Sequence, residues 1–337
     1  MLDSEVKLVT LIYEIAYTNL LSPMILFFLI GIVAVVVNSD LKVPTAFYTG
    51  YTMIILLTIG IKGGVELRNV TLADMLPTIL TAILLSILMF GISYLVVKGI
   101  FKFSLTDSFA LSAHYGSVSA VTFIAGIAFL EKIDVYYEAY MSAILVIMEG
   151  PAIILAIILY KVYSQKQGEV APNQEASLKH VVKEAFFGKS IFLLLGGIFI
   201  GYVAHTDGLL QITPLFGDLF YGILCIFLLH MGMVATQSIR QIQNLKLISF
   251  LFAFILPVIG GTIGVLSGHF IGLSLGGAVV LAFLTGSASY IAAPAAVAQA
   301  IPQANSGIYI GAALGLTLPF NLIVGIPYFY WLASWVY

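Results

Sequence analysis

Two short runs of small polar residues stand inside segments that are otherwise apolar. They are Gly116-Ser117-Val118-Ser119 and Gly286-Ser287-Ala288-Ser289, at an offset of 170 residues. A helix broken inside a membrane is tolerated only where its freed backbone lines a cavity or packs on protein. Such breaks offer two chemistries. Half-helix N-termini present N–H donors and a positive dipole end to an anion. Freed carbonyls and hydroxyls suit a hard cation such as Na⁺. Facing one another near the bilayer midplane, the two breaks would hold a small anion and its coupling ion together. Close packing through small residues is the blander reading of one Gly-Ser pair; two matched breaks favour a site.

Glu149 is the second candidate. It lies deep in an apolar run, with Met148 before it and Gly150-Pro151 after it. A carboxylate inside a membrane is costly unless paired, hydrated or protonated, so it reads as functional by default. A hydrogen-bonded glutamic acid at a helix seam is the structural alternative. Pro151 removes an N–H and frees the carbonyl of Ile147, a further cation ligand by type. The matching region of the second half holds Thr317 and Asn321. His114 precedes the first break by two residues, and a structural histidine is the better reading there than an anion or pH sensor. Ser117 and His114, at i and i+3, form the one conceivable nucleophile and base. Tyr115 and Tyr290 flank the breaks and either close the cavity or pack. Lys62 and Arg68 draw anions in or, more blandly, anchor at an interface. No spacing among the five histidines suggests zinc.

These residues must be positioned by helices in lipid. Hydrophobic residues make up 61% of the 337 and charged residues 9%, against about 25% charged in a soluble domain. Mean hydropathy is +1.09. This is the composition of an all-α polytopic membrane protein. At roughly 30 residues per span and loop, about ten or eleven helices fit. A net charge of −2 gives no footprint for nucleic acid. Cys225, the single cysteine, excludes an internal disulfide and a Cys-rich metal site. The start of the chain, with Asp3, Glu5, Lys7 and Glu14, reads as no removable signal peptide.

Ten spans are predicted, at about 22–38, 45–63, 74–99, 106–130, 136–163, 190–205, 217–234, 247–271, 276–300 and 306–332. The fourth and ninth carry the breaks. Thr106-Asp107-Ser108 is an N-cap cluster. Stretches holding Glu66, Arg68 and Asp74, and Gln237, Arg240 and Asn244, read as short amphipathic pieces. The stretch with Asp207, Pro214 and Asp218 reads as a turn. Residues 164–189 are a polar linker that separates a first five-helix repeat (1–163) from a second (190–337). An odd number of spans per half gives the halves opposite orientation. Gly60 and Arg68 are matched by Gly232 and Arg240 at an offset of 172, and Pro151 by Pro319 at 168. With the N-terminus outside, ten Lys and Arg fall in inside loops against four outside. The positive-inside rule then places both termini outside and the linker in the cytoplasm.

The runs "LSPMILFFLIGIV", "IGIKGGVELRN", "GSVSAVTFIAG", "GSASYIAAPAAVAQAIPQANSGIYIG" and "TLPFNLIVGIP" resemble the sodium-dependent bicarbonate transporter family known from cyanobacteria, in order and over nearly the whole chain. The resemblance implies ten helices in two inverted repeats, core and gate domains, and a homotrimer in the plasma membrane, the inner membrane of a bacterial cell. It implies co-transport of Na⁺ and bicarbonate as the core moves against the gate in an elevator-type cycle. It puts the substrate region at Gly116 to Thr122 and Gly286 to Pro294. Thr122 thereby joins Glu149, Thr317 and Asn321 as candidate Na⁺ ligands. Members are regulated from the cytoplasm by a PII-like trimer through a longer central segment; the linker here is short. Some members carry Asp where Tyr290 and Glu149 stand here.

The expected activity is Na⁺-coupled bicarbonate uptake. Coupling to H⁺, another small anion or carboxylate, and a passive anion channel are the alternatives; an enzyme is not expected. Membrane lipid and the small anion are the expected partners.

Overall fold

The computed structural model describes residues 20–138, 140–166, 189–241 and 247–337. Most of the expected linker lies outside these residues. Helix α1 is Pro23–Val36, α2 Thr45–Glu66 and α3 Leu72–Tyr94, which runs on as a π-helical turn, Leu95–Ile100. The expected fourth span is α4 (Leu105–Gly116) and α5 (Ala120–Lys132). Then come α6 (Met141–Glu149), α7 (Pro151–Lys166), α8 (Lys189–Val203), and α9 (Thr206–Thr213) with a π-helical turn, Pro214–Asp218. They are followed by α10 (Phe220–Gln241), α11 (Phe252–Phe270), α12 (Leu275–Thr285) and α13 (Ala292–Ala300). The last run joins α14 (Ser306–Ile310), α15 (Leu318–Phe320) and α16 (Ile326–Val336) through π-helical stretches Gly311–Thr317 and Asn321–Gly325.

Starts are set by short polar side chains. Ser22 caps α1 just ahead of Pro23. Thr71 and Asp74 form a reciprocal capping box on α3. Ser104, Ser119 and Ser274 cap α4, α5 and α12. Each such cap is worth about 1 kcal/mol.

Among the described residues, seven helical segments are long and apolar enough to cross a membrane, so the chain is a multi-pass membrane protein. Three shorter apolar helices, Pro23–Val36, Phe192–Val203 and Leu275–Thr285, fall where the first, sixth and ninth spans were expected. The ninth is short because its helix stops at the second break.

Local differences from the expected elements have tertiary causes. The fifth segment starts at Met141, not at 136, because Glu138 is engaged elsewhere. Its Oε1 accepts the Ser274 N–H at 2.7 Å and its Oε2 accepts the Ser274 hydroxyl at 3.0 Å. The two amphipathic stretches begin as helix: α2 continues to Glu66 before a 3₁₀ turn, Leu67–Asn69, and α10 continues to Gln241, while Asn244 lies outside the described residues. The turn expected around Asp207 is α9. Arg68 has a structural role that its position in the sequence does not suggest. Its guanidinium caps α8, with Nε donating to the Gly201 carbonyl at 3.0 Å and a terminal nitrogen to that of Ala204 at 2.6 Å. Arg240 caps α1 in the same way, donating to the Val35 carbonyl at 2.8 Å. A cation at orphan C-terminal carbonyls satisfies both hydrogen bonding and the dipole.

Helix α1 lies along α10, and α2 along α8, with α2 and α10 in mutual contact. Glycines permit the approach. A Cβ on Gly31 would strike the backbone of Leu229, and one on Gly232 that of Phe28. In the other pair, a Cβ on Gly197 would lie 2.7 Å from the Leu57 carbonyl oxygen. These are small-residue seams of the kind that pack helices in lipid. Helix α9 leads into a turn, Pro214–Asp218, that lies against α2 and α10, and the other helices form a second group. There α3 and α7 pack on α4, α11 packs on α12 and α16, and α12 packs on α5. The groups meet closely where α10 lies on Gly311–Thr317, and more lightly where α2 and α8 touch α6.

Candidate functional site

The two breaks face one another and are cross-bonded. The Ser119 N–H donates to Ser287 Oγ at 2.9 Å. The Ser289 N–H donates to the His114 carbonyl at 2.9 Å. The first break is tight: α4 ends at Gly116, Ser117 is extended, and Ser119 accepts the Thr122 N–H at 3.1 Å to start α5. The second is longer, from Gly286 to Ile291, and Ser289 Oγ accepts the Ala293 N–H at 3.2 Å. Each break opens on glycine because there is no room for more. A Cβ on Gly116 would lie 2.6 Å from that of Ala152, and one on Gly286 would lie 2.8 Å from the Phe329 ring. The freed carbonyls are answered by side chains. The Ser86 hydroxyl donates to the Gly116 carbonyl at 2.7 Å, and Asn321 Nδ2 to that of Gly286 at 2.9 Å.

A small cavity lies against the breaks. Val118, Ser119, Ala120, Glu149, Ser289 and Tyr290 line it, and Leu56 of α2 and Leu194 of α8 close the far side. At about 10 Å³ open to the centre of a water, it is close to the least that holds one. Ala120 starts α5 and Ile291 caps α13, so both half-helix N-termini reach this cavity. Glu149 makes no ion pair among the described residues. Its backbone carbonyl, at the Gly150 interruption between α6 and α7, accepts the Ser117 hydroxyl at 2.9 Å.

The candidate cation ligands divide in two. Thr122 Oγ1 and Asn321 Oδ1 are buried with no hydrogen-bond partner. Leaving such an atom unmatched costs about 1–3 kcal/mol. Their elements adjoin, since Asn321–Gly325 packs on α5. Thr317 is already partnered: its hydroxyl donates to the Ala253 carbonyl at 2.7 Å and so accepts from the Tyr115 hydroxyl, also at 2.7 Å, which leaves one lone pair.

Other candidates separate as clearly. Tyr115 is buried packing, edge-on to Phe252, whereas Tyr290 lines the cavity. Ala288 is buried away from it, in the apolar cluster around Tyr115. Ser117 and His114 do not form a nucleophile–base pair. The serine hydroxyl goes to Glu149, and His114 Nδ1 stands 2.7 Å from the Ala110 carbonyl. Ser86 and the apolar wall of Leu56, Leu145 and Leu194 were not singled out from the sequence. A lone serine in an apolar run is the only signal that would have found the first.

Two broken helices that meet at a small cavity, within an apolar multi-pass bundle, are an arrangement found in secondary transporters. The chain belongs to the Na⁺-dependent bicarbonate transporter superfamily, whose family model matches residues 23–334, nearly the whole chain. This is a transporter family, and the protein is not an enzyme. No curated protein matches the chain.

Proposed function

We propose that the protein imports bicarbonate together with Na⁺, using the cross-bonded breaks as its site. One observation carries this reading: a single cavity is shared by two half-helix N-termini and an unpaired carboxylate. The N-termini favour an anion. The Glu149 carboxylate opposes one unless a cation accompanies it. In a low-dielectric site a bound Na⁺ and a bound anion each raise the other's affinity. Val118, Ser119, Ser289 and Tyr290, which line the cavity, would hold the anion through backbone and hydroxyl groups, with Gly116, Ser117, Gly286 and Ser287 shaping the breaks behind them. Glu149, with the unspent oxygens of Thr122 and Asn321, would serve Na⁺; Thr317 keeps a structural role.

The same reading takes the chain as two inverted repeats of five spans, the three short helices included. Support comes from the matched arginine caps, Arg68 on α8 and Arg240 on α1, and from the matched pairs of α1 with α10 and α2 with α8. Helices α1, α2, α8 and α10 form a gate against which the rest moves as a core, in the elevator manner. The Lys and Arg distribution supports a plasma-membrane orientation with both termini outside. A homotrimer rests on the family resemblance alone. A PII-like regulator finds no support in the short linker.

The test is uptake of labelled bicarbonate into proteoliposomes with and without an inward Na⁺ gradient. The expected result is accumulation against the bicarbonate gradient only when Na⁺ is supplied. Equal uptake in both conditions would overturn the coupling, and flux that never exceeds equilibration would point to a channel.

A further inference from the structure

A second, wider cavity lies away from the breaks. It measures about 550 Å³ and is lined by Thr58 and Lys62 of α2, Ile127 and Glu131 of α5, Ser142 of α6 and Phe220 of α10, among others. It belongs to the same seam as the small cavity, which takes Leu56, Ala120 and Leu145 from α2, α5 and α6. From those residues the seam runs to the ends of α2 and α5, where Lys62 Nζ donates to the two carboxylate oxygens of Glu131 at 3.0 and 3.3 Å.

We propose that the Lys62–Glu131 pair is a reversible latch across the mouth of this seam, which holds α2 to α5 in the state described here. The proposal rests on the two-body reading above. Lysine and glutamate stand on opposite bodies, since α2 bundles with α8 and α10 while α5 bundles with α12 and the last helical run. Each also has a second partner on its own body. Lys62 Nζ lies 5.0 Å from the centre of the Phe220 ring on α10, a cation–π distance. The Tyr137 hydroxyl, in the loop after α5, donates to Glu131 at 3.3 Å. Separation therefore leaves neither charge without a neighbour, as a contact made and broken in every cycle requires. Both side chains are well exposed, at 45% and 36%. An exposed pair of this kind shifts an equilibrium by about two- to fivefold, which is a bias and not a lock.

The experiment uses full-length protein in proteoliposomes, with Cys225→Ser removing the native thiol and Ser142→Cys reporting on the seam. Labelling by a membrane-impermeant thiol reagent is read from each face of the membrane, so the result needs neither the substrate nor the orientation. Ser142 is buried in the latched state, so Lys62→Glu or Glu131→Lys alone should raise the labelling rate by about two- to fivefold; the two together should restore it. Additive gains in the double variant, or single variants without effect, would overturn the latch. As a second measurement, Lys62→Cys with Glu131→Cys, in the Cys225→Ser background, is joined by a short bifunctional thiol linker. Linked protein should lose transport and regain it on reductive release; full-rate transport while linked would also overturn it. If the unlinked protein carries no bicarbonate, the substrate assignment fails while the labelling result still decides the latch.

Discussion

Thr122 and Ser287 are both buried hydroxyl residues beside the breaks, yet they make opposite predictions. Thr122 Oγ1 touches no partner, so Thr122→Val, which removes an unmatched buried oxygen at equal shape, should keep or raise the thermal unfolding temperature in detergent. If that oxygen serves Na⁺, the Na⁺ concentration for half-maximal uptake rises about tenfold, the equivalent of about 1.4 kcal/mol. Ser287 Oγ accepts the Ser119 N–H and donates to the Leu284 carbonyl. Ser287→Ala strands a buried donor and should cost about 1–3 kcal/mol of stability, lost together with uptake. An unchanged Na⁺ dependence in Thr122→Val would remove Thr122 from the cation set. At this scale the sequence was informative where residue type conflicts with lipid: the Gly-Ser runs and Glu149 stand out for that reason alone. It was uninformative where only direction matters. Tyr115 and Tyr290 look equivalent on paper, but one bonds Thr317 and the other lines the cavity. Thr317 and Thr122 likewise look equivalent on paper, but the first is held by Ala253 and Tyr115 and the second has no partner.

Elements were legible where apolar runs had clear chemical ends, as at Ser22-Pro23 and Thr71. They were misread where a distant group finishes them. Arg68 meets its carbonyl acceptor on Gly201 across 133 residues, and Arg240 meets Val35 across 205. Local pattern cannot reveal such caps, so the ends of α2 and α10 looked like surface pieces. The caps lead to a paired expectation. Arg68→Met and Arg240→Met should each destabilise the folded protein by about 1.5–3 kcal/mol, the range for hydrogen bonds to a charged group. Lysine at Arg68 should recover only part of this, because it cannot reproduce the planar fork that reaches both Gly201 and Ala204. Thermal unfolding of the purified variants measures both. A loss confined to one of the two arginines would count against their being equivalent parts of a repeat.

For the whole molecule, composition alone settled the solvent and the helical class, and family membership followed from sequence order along nearly the full chain. The number of spans did not follow as directly. Helix α12 alone is too short to cross, and α4 and α5 together are long enough only when counted through their break. What makes these pieces one object is the exchange of hydrogen bonds between Ser119 and Ser287, and between Ser289 and His114. That exchange has a consequence for biosynthesis. The Ser119 amide and its acceptor are 168 residues apart in a chain of 337, so for about half of translation the first break is an inserted but unfinished polar fault in the bilayer. Cutting the gene in the central linker should therefore yield two fragments that are each proteolytically labile. Produced together, they should protect one another and recover uptake, which co-expression with protease challenge would measure. The ribosome has to deliver the second break before the first is safe from quality control.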